Sequence, residues 1–339
     1  MNKELEKKIL DSYELPNRVL VDVPQPVISI RTSTYNHVSY IKQCIDGVLM
    51  QKTTYAMEYI IGEDCSTDGT REIVFEYAKK YPNIIRVVTA DYNVGMKANG
   101  QRCIDRCRGK YMAICEGDDY WIDPYKLQKQ VELLERNEKV TLAYTGFQTV
   151  DSMGNAIIRP MYNYYASISS SGDVFYRLLK GNFILTLTTC FRRDILFSKE
   201  IQEAPTTIDY LLFLIASAKG DTVYIPEKTS CYRQHNSSIM STAPKIVSNH
   251  TLDAFKYVAV LYVKGVVAQR SMANNLLINI FIMRRAIGLF VKNDQYLLRT
   301  ILSIKKSMLI FVLPALLEIC ICKFMIVLER LLYPNRKYA

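Results

Sequence analysis

Four times between residues 27 and 117 a short apolar run gives way to a polar cluster and then to a stretch of helical periodicity. No other feature of the chain constrains its fold as strongly. The runs are VISIRT (27–32), EYIIGED (58–64), IIRVVTA (84–90) and YMAICEG (111–117), each short, rich in apolar residues and bounded by turn residues, which predicts buried strands. After the first, Tyr40, Cys44, Val48 and Ile41, Ile45, Leu49 recur at i, i+4, i+8 and predict a helix with one apolar stripe. REIVFEYAKKY is a second helix that stops near Pro82, and a third runs from about Lys97 to Gly109. Asp123 and Pro124 form an N-cap and N1 pair for a fourth, which carries Leu127, Val131 and Leu134. Strands alternating with helices imply right-handed crossovers and a mostly parallel, doubly wound sheet. In such sheets ligands bind at the carboxyl ends of strands, and STYN, EDCSTD and EGDD all fall there.

From Val140 the rhythm breaks up. VTLAY and FILTLTTCF (183–191) read as strands, residues 162–171 as a Tyr- and Ser-rich loop, IDYLLFLIASAKG as a helix, and residues 222–238 as strand and loop. Residues 251–300 read as helical apart from a break near Lys292 to Asp294, and the polar lead-in is interrupted by Pro16, Pro24 and Pro26.

The chemistry concentrates in EGDD. Along a strand, Glu116 and Asp118 fall on one side and Gly117 leaves the other bare. Two like charges aimed one way raise each other's pKa unless a cation lies between them. A hard divalent ion, Mg²⁺ or Mn²⁺, suits one or two carboxylates plus phosphate and water oxygens. The other reading, that these acids cap the next helix, is weakened because Asp123 already fills that role.

ISIRTSTYN, IIGEDCSTDGT, DYNVG and YMAICEGDDYWIDPYKLQKQ, in that order at the ends of four expected strands, resemble the successive motifs of family 2 glycosyltransferases of bacterial surface-polysaccharide type. The resemblance implies an α/β, Rossmann-like GT-A fold: a mixed, mostly parallel sheet flanked by helices, here with a C-terminal helical extension. It covers about residues 26–240, with a nucleotide half (26–125) and an acceptor half (126–240), between a lead-in (1–25) and a basic helical region (241–339). The implied activity is inverting transfer of a sugar from a nucleoside-diphosphate sugar, UDP-linked by expectation, to a hydroxyl of a glycan or lipid-linked acceptor.

Matched to the motifs, Tyr35 stacks on the base with Ser33 beside it, and Asp64 accepts a hydrogen bond from the base. A core position is the bland alternative for Tyr35. Asp118 holds the metal and Glu116 lies on the ribose side, where glutamate replaces the usual aspartate and shifts the reach by a methylene. Asp119 is a further acid of the motif that points away from the metal side. Asp209 in TTIDYLLFL is the candidate general base, with a helix N-cap as its other reading. In CYRQHNSS, Arg233 and His235 reach toward the diphosphate, or His235 completes the metal shell. Lys97 is a weaker diphosphate candidate beside a solvated reading, and His37 and His250 are read as unremarkable.

Charge is unevenly spread: residues 251–339 hold 13 Lys and Arg against 4 Asp and Glu, whereas residues 1–250 are nearly balanced. MLIFVLPALLEICICKFMIVL (308–328) has the length of a membrane span, but Glu318 and Lys323 interrupt it and Pro314 would kink it. Together with the flanking basic residues it predicts docking at the inner face of the cell membrane, the alternative being a helix packed on the catalytic domain. The nine cysteines form no CxxC pair and read as reduced thiols, and the amino-terminal stretch shows no apolar h-region, so a cytoplasmic location is expected. Neither GxGxxG after the first strand nor GxxxxGK[ST] is present, which sets aside dinucleotide and P-loop enzymes. A non-enzymatic protein binding an anionic membrane surface or nucleic acid would explain the net charge of +10 but not the strand-end motifs, so no nucleic-acid partner is expected.

Overall fold

Strand β2 (Ile28–Thr34) shows how the sheet is built. Ile28 and Ile30 enter a core with Ile41, Cys44, Ile45 and Val48 of the helix Ile41–Leu49, while Ser29, Arg31 and Ser33 face the other way. Both faces are therefore covered, one by hydrocarbon and one by a polar row. The computed structural model describes residues 3–204, 209–267, 272–292, 294–304, 306–311 and 314–315.

The other strands are β1 (Tyr13–Glu14), β3 (Met57–Glu63), β4 (Ile85–Thr89), β5 (Tyr111–Ile114), β6 (Tyr120–Trp121), β7 (Val140–Val150), β8 (Thr189–Arg192) and β9 (Asp221–Arg233). They form one sheet in the order β1-β4-β3-β2-β5-β8-β7-β9-β6. The long pairings, β2 with β3 and β7 with β9, are parallel, as are β3 with β4 and β2 with β5; β1, β6 and β8 pair antiparallel and briefly. The sheet is thus mixed and mostly parallel by paired length, with helices Ile41–Leu49, Thr70–Lys80 and Met96–Ile104 as the crossovers linking β2, β3, β4 and β5.

Several expectations change. The lead-in is structured: Lys3–Leu10 is a helix, and β1 adds to the edge of β4 because Glu14 binds the Arg86 guanidinium twice, at 2.8 Å each. Residues 160–168 are a helix rather than a loop, started by Pro160 at its first turn and held by Tyr162 packed against Phe147 and Tyr232. Within 183–191 only Thr189 onward is strand. The Thr188 hydroxyl donates to the Leu185 carbonyl at 2.6 Å and tightens Thr186–Thr188 into a 3₁₀ turn. Asp123 does not cap the helix directly: its carboxylate accepts the Tyr125 N–H (2.8 Å), and the helix begins at Lys126.

The described chain divides into two compact units, residues 1–251 and 252–339. In the second, helices Met272–Val291 and Tyr296–Ile304 are joined by Asp294, which pairs with Lys256, while the Tyr262 hydroxyl bonds Asn275 at 2.8 Å. The helical stretch is interrupted after Val263, where Gly265 takes a left-handed φ of 76°, as well as near Asp294. No helix among the described residues is long and apolar enough to cross a membrane. Most of segment 308–328 lies outside the described residues. The seven described cysteines are free thiols; Cys320 and Cys322 lie outside that set.

Candidate active site

The loop after β2 is tied to the loop after β3. Asn36 adopts a left-handed φ of 54°, a conformation its short polar side chain tolerates. That turn lets Asn36 N–H reach Ser66 Oγ (3.0 Å), His37 N–H reach Thr70 Oγ1 (2.8 Å) and Val38 N–H reach Asp68 (3.0 Å). Tyr35 is left 43% exposed at the rim.

Beside it, β5 ends at Ile114, yet the backbone stays in register for three more residues: Cys115 N–H bonds Arg31 O and Gly117 N–H bonds Ser33 O, both at 3.0 Å. The chain then turns, with Asp119 N–H on Glu116 O. Gly117 is required by close approach, since a Cβ there would lie 2.7 Å from Thr34 Oγ1 and 2.8 Å from His37 Nδ1.

The four acids at this tip have different partners. Glu116 accepts from Arg31 Nη2 (2.5 Å) and from Ser33 N–H (3.2 Å). Burial raises its pKa, as do the charges of Asp209 and Asp118, against the opposing pull of Arg31. Asp118 Oδ2 meets His235 Nε2 at 3.0 Å, and His235 Nδ1 is fixed by Ser237 Oγ at 2.8 Å. Burial would push Asp118 upward, but the His235 hydrogen bond and the charges of His37 and His235 hold it below its ordinary value. Asp119 is buried, accepts the Arg233 N–H (2.8 Å), and is pushed well above the carboxylate range by burial and by the Asp118 charge. Asp209, at the first turn of helix Asp209–Lys219, accepts from Thr186 Oγ1 at 2.5 Å, and both Arg31 and Glu116 feel its charge.

Arg233 is spent on construction. Its nitrogens donate to the carbonyls of Asp118 (2.9 Å) and Ser152 (3.1 Å) and to Gln43 Oε1 (2.6 Å), with the guanidinium between the rings of Tyr40 and Tyr120. It holds the Asp118 backbone rather than facing outward. Asp64 is 2% exposed and accepts the N–H groups of Val94 (2.8 Å) and Gly95 (3.0 Å), so it fixes the DYNVG loop. Lys97 stands exposed on helix Met96–Ile104, with no bond or ion pair among the described residues.

Three residues here escaped the sequence reading. His37, read as unremarkable, is part of the tip: its ring lies 6.4 Å from that of His235, burial lowers its pKa, and Asp118 opposes that shift. Thr186 was hidden in a run expected to be strand. Arg31 did leave a signal, a charge between two apolar positions of a buried strand. Among the described residues, three buried side-chain polar atoms have no hydrogen-bond partner in the protein, Arg31 Nε, Ser33 Oγ and Ser198 Oγ, and the first two are in this site.

Acids and a histidine thus gather at the carboxyl ends of the parallel strands, where open α/β sheets bind their ligands. Residues 29–196 match the profile of Glycosyl transferase family 2, and the chain belongs to that family. A Bacillus subtilis (strain 168) protein named for glycosyl transfer in teichuronic acid biosynthesis, TuaG, is 31% identical over 219 residues, 64% of this chain and 82% of its own length. An uncharacterized protein of Mycobacterium tuberculosis (strain ATCC 25618 / H37Rv) is 34% identical over 218 residues, and the chain spans only 61% of its length. The fold resembles S. aureus TarS 1-349, solved in complex with UDP, with a TM-score of 0.54 at 17% identity over 76% of this chain and 71% of that one. It also resembles a Pyrobaculum calidifontis mannosyltransferase solved with GDP-Man and Mn²⁺, with a TM-score of 0.51 at 14% identity over 95% and 86% of the two chains.

Proposed function

We propose that this chain is an inverting glycosyltransferase that moves a sugar from a nucleoside-diphosphate sugar, UDP-linked by preference, to a hydroxyl of a glycan or lipid-linked acceptor in surface polysaccharide synthesis. The observation that carries it is the meeting of Asp118 and His235 at 3.0 Å, with Glu116 and Asp209 close enough to feel each other's charge. An acid and an imidazole converging on one point suit Mg²⁺ or Mn²⁺ completed by phosphate and water oxygens. Asp118 and His235 would hold it; when bound, it would supply Lewis-acid stabilisation of the departing diphosphate.

The chain's own residues do the rest. Tyr35 stacks on the base, while Ser33 and Glu116 lie along the ribose side. Asp64 shapes the wall by holding the DYNVG loop, and Asp119 with Arg233 fixes the Asp118 backbone. Lys97, exposed on helix Met96–Ile104, is the weaker contact for the diphosphate. Asp209 takes the acceptor's proton as that oxygen bonds the anomeric carbon and the carbon–phosphate oxygen bond breaks, the electron pair leaving with the diphosphate. Thr186 donating to Oδ2 leaves the other carboxylate oxygen for that proton. The basic stretch 251–339 would bring this chemistry to the inner membrane surface.

Titration calorimetry with UDP and UDP-sugars, with and without Mn²⁺, tests the reading. Binding should require the metal, and Asp118→Asn should remove both the metal requirement and turnover while the melting temperature holds. Unchanged turnover in Asp118→Asn would refute it.

A further inference from the structure

The 3₁₀ turn Thr186–Thr188 is pinned by side chains, which take each carbonyl from Leu185 to Thr188. Leu185 O accepts from Thr188 Oγ1 (2.6 Å), Thr186 O from Thr189 Oγ1 (2.7 Å) and Thr188 O from Gln130 Nε2 (2.8 Å). Leu187 O takes two donors, Trp121 Nε1 (2.9 Å) and Ser230 Oγ (3.3 Å). Trp121, Leu187 and Ser230 are all buried, so water does not stand in for either bond.

A core tryptophan needs one acceptor for its N–H, and Leu187 O supplies that much. Satisfaction alone does not account for where the two donors come from. Trp121 and Ser230 are register partners across β6 and β9. β6 begins two residues after Asp118 and β9 ends two residues before His235, the pair that meets at 3.0 Å. The turn therefore hangs from the two strands that flank the proposed metal ligands. It also carries Thr186, which is half-buried where Leu187 and Thr188 are buried, and whose hydroxyl donates to Asp209 Oδ2 at 2.5 Å.

We infer that Trp121 and Ser230 are positioning residues: through Leu187 O they fix the Thr186 hydroxyl, and with it the Asp209 carboxylate, relative to Asp118 and His235. This rests on Asp209 being the base, as proposed above. The need for such a joint is geometric. The base must meet the acceptor proton on one face of the anomeric carbon while the diphosphate departs from the other, and a misplacement of about 1 Å can cost roughly 10² in rate. The bond from Gln130 ties the turn to helix Lys126–Arg136, which carries neither Asp118 nor His235. Leu187 O ties it to the strands beside them.

The test uses the full chain with Mn²⁺, UDP-glucose and UDP-N-acetylglucosamine, following UDP release with water in the acceptor's place. The water oxygen bonds the anomeric carbon, its proton passes to Asp209, and the electron pair of the broken carbon–oxygen bond leaves with UDP. Trp121→Phe keeps an aromatic ring and removes the N–H. It should lower kcat about tenfold, while donor KM and the calorimetric affinity for UDP stay within about threefold of wild type. Ser230→Ala removes the other donor to the same carbonyl and should give the same split at about threefold, which carries the test should Trp121→Phe fold poorly. Thr186→Val should lose at least as much kcat as Trp121→Phe, and Thr186→Ser, which keeps the hydroxyl, should restore it. In an Asp209→Asn background, Trp121→Phe should change the residual rate by less than about twofold, because its effect passes through that carboxylate. A lowered melting temperature with kcat intact, or a loss of kcat that persists undiminished in the Asp209→Asn background, would overturn the inference and leave the base standing. Unchanged UDP release in Asp209→Asn alone would overturn the base, and this assignment with it. Failure of both donors to release UDP in the wild type would overturn the donor reading on which both stand.

Discussion

The two ends of one face of β2 treat charge in opposite ways. At the base, Ser29 Oγ donates to Glu58 (2.7 Å) and accepts from Gly109 N–H (2.8 Å). Glu58, fully buried, also takes Arg86 (3.0 Å) and Arg108 (2.7 Å), and Arg86 goes on to Glu14. Burial alone would raise the pKa of Glu58, yet the bonds from Ser29 and Arg108 and the Arg86 charge hold it below the ordinary carboxylate range. At the tip, Arg31 and Ser33 keep unmade donors, and Glu116 is raised rather than lowered. A saturated network is framework that ties the lead-in to the sheet. The less saturated one stands at the carboxyl ends of the strands, where open α/β sheets bind their ligands.

This contrast can be broken by moving an effect from one end to the other. The largest effect is expected at the tip: Asp209→Asn should lower kcat by about 10²–10⁴ while donor affinity and melting temperature hold. A collapse of donor affinity would instead make Asp209 a structural cap. At the base, Glu58→Gln should lose about 3–5 kcal/mol of stability, because removing one partner of a buried pair strands the other. Denaturant titration measures it, and any surviving folded enzyme should keep its kcat. Since the folded pKa of Glu58 is depressed, its contribution is whole above the unfolded carboxylate value and is lost as pH falls through the folded one. Wild type and Glu58→Gln should therefore converge in stability at low pH, and curves that stay parallel would sink the assignment.

A smaller effect sharpens the rule that saturation marks framework. Lys126 is fully buried, its ammonium donating to Gln130 Oε1 (2.7 Å) over the Trp121 ring, and burial lowers its pKa to about 8. Between that value and the unfolded lysine value the unfolded chain binds the extra proton, so stability should rise with pH there. The rise should be on the order of 2 kcal/mol across that window. Lys126→Met should flatten that slope, read from melts at pH 7.5, 8.5 and 9.5, and a slope that survives the substitution would place the titration elsewhere.

Much of the first half was legible because one signal repeated. Apolar runs of strand length and apolar stripes of helical period report burial directly, and β2 to β5 came out within a few residues of their expected bounds. Legibility failed where one side chain or turn outweighed pattern. Pro160 started a helix in a Tyr- and Ser-rich stretch, and a threonine hydroxyl bent residues 186–188 out of the strand. In the lead-in, a 2-residue edge strand is too short to show alternation and depends on the distant partners of Glu14.

The sequence by itself determined the alternation, the placing of STYN, EDCSTD and EGDD at strand ends, and the excess of positive charge in the last quarter, since local period and composition suffice for each. Only the tertiary structure decided which acid meets which partner. Asp118 and His235 are 117 positions apart, and Arg31 and Glu116 are 85 apart. Whether a carboxylate is raised, lowered or consumed depends on burial and on charges a few ångströms away, and separation along the chain carries no record of either.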